Sequence, residues 1–405
     1  MAEAWTNWVG NQSFTPAERA VARDEMHAVA LIQDAVRRGI GVRTAGSGHS
    51  FTPVVETAGL NLDIAALNGV IGVDRGRHRV TLGAAARIGD LGEPLWQHGL
   101  GLANQGDIDA QTIAGAVATA THGSGRDLQC FSAGLVGCRL VTGTGEVLDL
   151  DLGSDTDLMH AAQTSIGLLG IMTRLTIKVV PAYTLHERIE IMHIDEVLAR
   201  WDELLDGYRH FSFFWMPTDE SYRLYGLSPA KRDTCYVKLY NEPSEAAGTP
   251  VLAVNERIDR SYRIYPGEFQ PNFHELEYFM PVEYGREVVR RQRELMIERA
   301  PESAFPMEVR FVKADDAWLS PNYRRDSIVI SVSGIPGTDY WPYLEASDAV
   351  FAEFAGRPHW GKLHFMTARR MADLFPEYAR FAALRRRLDP KGLFLNPHFR
   401  SMFPD

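Results

Sequence analysis

Apolar residues Val29, Ile32 and Val36 recur at helical spacing within residues 25–39, and Gly39 supplies a stop, so a helix is expected there. From that point to about residue 180 the texture changes to short alternating strands joined by glycine-rich links. Leu135 to Val141, the turn Thr142-Gly143-Thr144-Gly145, and Glu146 to Asp151 read as a hairpin. Ile171, Thr173, Leu175, Ile177 and Val179 alternate with Met172, Arg174, Thr176 and Lys178, the pattern of a half-buried strand, which Pro181 is expected to end. Residues 181 to about 355 form a second texture, with aromatic strands at His210 to Met216 and Cys235 to Tyr240 and helical stretches such as 282–299. Two further strands are expected from Phe305 to Val312 and from Ser327 to Ser333. Beyond 356 come a short strand-like piece, a helix around Tyr378 to Leu388 and the turn Asp389-Pro390-Lys391-Gly392, too little for a domain and expected to pack back on an earlier unit. The fold class is α+β with two domains: residues 1–180, residues 181–355, and a returning segment 356–405.

Length and composition agree with that division. A chain of 405 residues suggests two or three domains, and 45% hydrophobic with 23% charged residues is ordinary globular composition. The net charge of −10 argues against a protein held to nucleic acid by phosphate contacts, and Arg385-Arg386-Arg387 is expected on the solvated face of a helix. No apolar run reaches the roughly 18 residues of a membrane span, and the first residues lack a basic-then-apolar leader, so neither a membrane nor a secretory route is expected. Three scattered cysteines, Cys130, Cys138 and Cys235, fit neither a disulfide framework nor a structural zinc; no metal is expected, and a reducing cytoplasm is the simplest location.

Two segments carry the pattern of a cradle for a phosphate-bearing cofactor. In Ala45-Gly46-Ser47-Gly48-His49-Ser50, glycines at 46 and 48 let the backbone approach a ligand and turn N–H groups toward an anion. Phe51 at the third glycine position excludes the Rossmann fingerprint, and no Gly-Lys-Ser/Thr closes a P-loop. The second segment runs from Ala114 to Gly125 and includes Gly115, Thr119, Thr121, His122 and Gly123, with tiny residues for close contact and hydroxyls to donate; Thr112 just before it joins the candidate cofactor-binding set. Either one alone reads more readily as a tight structural loop than as a ligand cradle. Their order, followed by Gly167-Leu168-Leu169-Gly170-Ile171-Met172-Thr173, resembles the vanillyl-alcohol-oxidase (p-cresol methylhydroxylase-like) superfamily. The resemblance implies a PCMH-type fold, with FAD bound by residues 1–180 and the tail, and a substrate-covering cap in 181–355. It also implies a covalent 8α-histidyl bond from His49 to the flavin. With no cysteine between Gly101 and Gly125, a second, cysteinyl bond is not expected.

The downstream half narrows the resemblance. Glu308-Val309-Arg310 lies on a strand whose alternation sets Met307, Val309 and Phe311 on one face and Glu308, Arg310 and Val312 on the other. Together with Trp318-Leu319-Ser320-Pro321, with His359-Trp360-Gly361-Lys362 and with Asp389 to Asn396, it is similar to the sugar-1,4-lactone oxidase and alditol oxidase branch. For an alcohol oxidation, a guanidinium stabilises an incipient alkoxide and a carboxylate beside it holds the fork and binds sugar hydroxyls, parts that suit Arg310 and Glu308. Lys362 suits the flavin N1–C2 edge, and His359 either joins that edge or packs with Trp360. The general base is left unassigned.

In alditol oxidases a histidine and a threonine on the next strand bind polyol hydroxyls; Ser331 and Ser333 stand at the corresponding positions here, which favours a lactone. The resemblance also implies that Gly106 and Asp107 lie against the flavin C4a–N5 edge, where glycine leaves room for dioxygen and Asp107 departs from the common small hydroxyl residue. The expected activity is FAD-dependent oxidation of an L-gulono- or D-arabinono-1,4-lactone with reduction of dioxygen to hydrogen peroxide; the alternatives are an alditol substrate such as xylitol or sorbitol, or another electron acceptor. A non-catalytic carbohydrate binder using Trp215, Trp318 and Trp360 as stacking faces is the reading from a different class.

Overall fold

The computed structural model describes residues 3–243, 252–301 and 305–404. The first helix spans Glu25–Arg38; the Asp24 carboxylate accepts from the His27 N–H at its start, and Gly39 closes it in the left-handed region at φ 68°. Ala28, Ile32, Ala35 and Val36 form its buried stripe. This helix packs into a core shared by a parallel three-stranded sheet, Glu18–Val21, Leu60–Asp63 and Val42–Thr44 in that order, and an antiparallel five-stranded sheet. The five-stranded sheet contains the expected hairpin, Leu135–Val141 paired with Val147–Asp151, and the strand Ile171–Lys178 beside it. That strand ends at Lys178; Pro181 lies in a separate two-residue strand, Val180–Pro181, paired with Leu100–Gly101, where a missing N–H is tolerated at an edge.

The second unit is built on an eight-stranded antiparallel sheet with the order Glu256–Arg260, Thr184–His193, Thr234–Asn241, His210–Trp215, Met307–Val312, Ser327–Gly334, His274–Pro281, Arg357–Pro358. Helices Gly285–Arg299 and Trp341–Glu353 cover one face, where Phe211, Phe213, Val309, Phe311, Ile330 and Val332 make the core. The opposite face carries the charged residues described below. Arg357–Pro358 belongs to this sheet, so the chain leaves the second unit only after that strand. The helices that follow place Phe381, Phe394, Phe399 and Met402 in the first unit's core. Arg43 fastens this return, its buried guanidinium donating to the carbonyls of Phe394, Gly167 and Ile166 at 2.9–3.0 Å.

Trp215, Trp318 and Trp360 are 0%, 6% and 1% exposed, so they are core residues and offer no stacking face, which removes the carbohydrate-binder reading. Arg385 is buried inside the tail, unlike the solvated position expected for it; its stem faces the core side of the helix Tyr378–Leu388. All three cysteines are buried free thiols. Among the described residues no helix is long and apolar enough to cross a membrane.

Candidate active site

A cavity of about 640 Å³ runs through the first unit. Its wall includes Ala45, Gly46, Ser47, Gly48, His49 and Ser50 from the first glycine loop, and Thr112, Gly115, Thr119 and Thr121 from the second segment. Gly170 and Ile171 from the third segment and His359 and Lys362 from the tail complete the set. Gly48 turns the loop at φ 72°, a conformation that side chains rarely adopt, with the Trp5 ring and the Asn7–Trp8 backbone packed close to it. Buried polar atoms facing this space lack partners among the described residues: Ser47 Oγ, His49 Nδ1 and Gln111 Oε1. Buried polar groups are normally satisfied, so these orphans and the small-residue wall fit an extended polar group such as FAD. Burial and the nearby Lys362 and Arg87 cations push the His49 imidazole down to about 4, leaving it neutral with a free nitrogen lone pair or N–H.

A second, smaller cavity of about 60 Å³ lies against the eight-stranded sheet. Gln111, Thr121, His359 and Lys362 line both cavities, so the two meet there. Gly106, Asp107, His122, Glu308 and Arg310 line the small one. Strand register explains the gathering. Glu308 stands opposite Ser331, and Ser331 opposite Glu277, so two carboxylates flank one small residue in a single cross-strand row. Phe214 pairs with Glu308 on the other side, and Ser212 with Lys238 on the strand beyond, which sets Lys238 on the same face.

Charge is dense and paired. Arg310 Nε donates to Glu308 Oε1 at 2.6 Å, and Arg310 Nη2 lies 2.5 Å from that oxygen and 3.2 Å from Asp107 Oδ2. Lys238 Nζ donates to Asp107 Oδ1 at 2.7 Å. Lys362 Nζ and Ser331 Oγ both donate to Glu275. His122 Nδ1 donates to the Gly123 carbonyl at 2.8 Å, and its Nε2 meets Glu277 Oε1 at 2.9 Å. Since a carbonyl only accepts, the Nδ1 hydrogen is placed by Gly123, and a single proton lies between Nε2 and Glu277. Oxygen atoms of Glu275, Glu277 and Glu308 lie within 4.8 Å of one another. Burial, with Asp107 and Glu275 adding to it, lifts Glu308 to about 8 despite Arg310. Asp107 is held below the usual carboxylate range: burial opposes this, but Lys238 and Arg310 outweigh it. Glu277 is likewise low, because His122 and Lys362 overcome its burial. Burial lowers His359 to about 3, whereas the Glu275 and Glu277 carboxylates outweigh burial at Lys362 and move it upward.

Ser331 and Ser333 line neither cavity; their hydroxyls engage Glu275 and, at 2.8 Å, the Tyr225 phenol, which do line the small one. His359 faces His122, with ring centroids 5.8 Å apart, and its Nδ1 accepts from the Gly361 N–H. Gly123 lines neither cavity and serves through its carbonyl. Sequence reasoning missed Glu275, Glu277 and Lys238. Their signal was available: Glu275 and Glu277 alternate in the otherwise apolar strand His274–Pro281, and Lys238 interrupts the apolar run Val237 to Tyr240.

A glycine-lined cavity thus meets a buried cluster of acids and cations. Residues 16–151 match the FAD binding domain family, and residues 175–234 and 244–402 match the family described as D-arabinono-1,4-lactone oxidase. The chain is 37% identical to the L-gulono-1,4-lactone dehydrogenase of Mycobacterium tuberculosis (strain ATCC 25618 / H37Rv), covering 99% of each chain. It is 27% identical to the alditol oxidase of Streptomyces sp., again over 99% of each. Among solved structures, the cholesterol oxidase from B. sterolicum superposes with a TM-score of 0.85 at 16% identity, covering 100% of this chain and 97% of that one, which shows the shared fold. This chain belongs to the D-arabinono-1,4-lactone oxidase family of FAD-dependent oxidoreductases.

Proposed function

We propose that this enzyme oxidises a sugar-derived alcohol, an aldono-1,4-lactone of the L-gulono or D-arabinono type, with dioxygen as acceptor and hydrogen peroxide as product. The carrying observation is Arg310: Nε and Nη2 are taken by Glu308 and Asp107, and Nη1 lies beside Gly106 on the cavity wall. The large cavity would hold FAD, with His49 as the residue of covalent attachment and Lys362 and His359 at the inner end. FAD supplies the two-electron acceptor. Arg310 Nη1 binds the substrate hydroxyl and stabilises the alkoxide as it forms. Glu308 takes the hydroxyl proton at Oε2, since Oε1 is engaged by Arg310. Lys362, kept cationic by Glu275, offsets the negative charge that arrives at its end of the cavity.

Phe214, Phe269, Phe273 and Tyr225 line the small cavity together with the carboxylates. A lactone ring presents C–H faces to such a wall and hydroxyl edges to the acids, and the relative named as a lactone dehydrogenase is more similar than the alditol oxidase. Steady-state assays comparing aldonolactones with xylitol and sorbitol test this: a higher kcat/KM for a polyol overturns the substrate assignment. The mycobacterial relative's name supports a second reading for the acceptor alone, in which electrons pass to an acceptor other than dioxygen.

A further inference from the structure

Lys238 belongs to the second unit's strand Thr234–Asn241, and Asp107 to a first-unit loop, yet their side chains meet at 2.7 Å with Lys238 9% and Asp107 6% exposed. The same loop is tied to the second unit by the Gly267 N–H donating to the Asp107 carbonyl at 2.8 Å. Taking an ammonium out of water is costly, and a buried ion pair is often no more stable than apolar residues of similar volume. Among the described residues Asp107 Oδ1 is the acceptor that the Lys238 ammonium reaches, with the Phe214 ring centroid 5.8 Å away. Stability alone therefore gives a poor account of Lys238. Its geometric consequence is specific. With Oδ1 on Lys238, the Asp107 carboxylate presents Oδ2 alone to Arg310 Nη2, while Glu308 Oε1 holds Nε and Nη2. A carboxylate released from Lys238 is free to turn both oxygens onto the guanidinium in the bidentate manner and draw Nη1 away from the cavity.

We infer that Lys238 is a positioning residue: through Asp107 it clamps Arg310 across the two units so that Nη1 faces the substrate hydroxyl. The inference rests on the oxidation proposed above. Since Arg310 acts on the developing alkoxide, loss of the clamp falls on kcat rather than KM. A misplacement of about 1 Å typically costs about 100-fold. Lys238→Met is expected to lower kcat per bound flavin by about that factor with KM changed only a few-fold, and Lys238→Arg to recover most of the loss. Asp107→Asn removes the bridge from its other end and serves if Lys238→Met does not fold; it is expected to lower kcat in the same way. In parallel, ¹⁵Nε-arginine NMR identifies the Arg310 signal as the one lost in Arg310→Lys. That signal is expected to move in Lys238→Met and to stay in Lys238→Arg. A lower melting temperature with unchanged kcat per flavin and an unmoved Arg310 signal overturns the clamp. If the wild type oxidises neither lactones nor polyols, the proposed function fails, and the NMR comparison still decides whether the clamp exists.

Discussion

Arg310 Nε donates to Glu308 Oε1 at 2.6 Å from the same face of one strand, two residues away, so a side-by-side pair becomes a fixed fork. On an exposed strand such a pair would contribute little. Here Glu308 is buried and Arg310 half-buried in the wall of the small cavity, and the pairing fixes which guanidinium nitrogens remain for a substrate. Lysine keeps the charge but loses the planar fork. Arg310→Lys is expected to lower kcat by roughly 100- to 1,000-fold. Rapid-mixing measurement of anaerobic flavin bleaching by substrate reads the step directly; bleaching at near wild-type rate would remove Arg310 from the chemistry.

The proton on Glu308 makes the reaction and the stability depend on pH in opposite ways. Asp107, Glu275 and Glu277 crowd it, Arg310 and Lys238 oppose them, and burial leaves it near 8 against an ordinary 4.5. If the ionised form accepts the substrate proton, kcat/KM rises with pH and levels off above about 8. The folded protein holds this proton more tightly than the unfolded chain, so this group's contribution to stability falls as pH rises from about 4.5 through about 8. Glu308→Gln is expected to lose the rising limb of kcat/KM together with most activity. Its melting temperature is expected to gain on wild type progressively from pH 5 to pH 9. A constant difference across that range would contradict the assignment.

The two-residue period was enough to read which side of the Met307–Val312 strand carries chemistry, because Met307, Val309 and Phe311 cannot share a face with Glu308 and Arg310. The helix Glu25–Arg38 and the Leu135–Asp151 hairpin were legible for the same local reasons, a cap, a stop and a glycine turn. Lys238 was not. A single lysine in an apolar strand reads as an edge or surface residue until its partner is known, and Asp107 lies 131 residues away. Ser331 shows the other limit. Its strand and face were readable, but its hydroxyl is occupied by Glu275 from the neighbouring strand, a fact of register rather than of composition.

The His49 ring is half-buried beside Trp8, at 4.8 Å between centroids, and its buried Nδ1 has no partner among the described residues. A neutral imidazole at the wall of the large cavity is the form able to make a bond to carbon. Acid precipitation of the purified protein is expected to carry yellow flavin into the pellet. His49→Ala is expected to release all flavin to the supernatant while retaining the fold by circular dichroism. Colour wholly in the wild-type supernatant would refute the covalent bond.

Gly106 combines two constraints that a simple substitution mixes. A Cβ there would stand 2.8 Å from the His122 carbonyl oxygen, closer than real contacts allow, and 4.0 Å from Arg310 Nη1. Glycine is therefore required for the backbone to pass His122, independently of any route for dioxygen. The same methyl would narrow the space beside the proposed reacting edge and touch the free end of Arg310. Gly106→Ala should then slow both half-reactions, and the two must be measured apart. Anaerobic mixing with substrate reports the Arg310 side; mixing the reduced protein with aerated buffer reports access. Wild-type reoxidation is expected to be faster than steady-state turnover. In Gly106→Ala reoxidation is expected to slow by a larger factor than reduction does. Equal slowing of both would assign Gly106 to backbone packing alone. Slow wild-type reoxidation that an artificial dye acceptor relieves would show that dioxygen is not the acceptor.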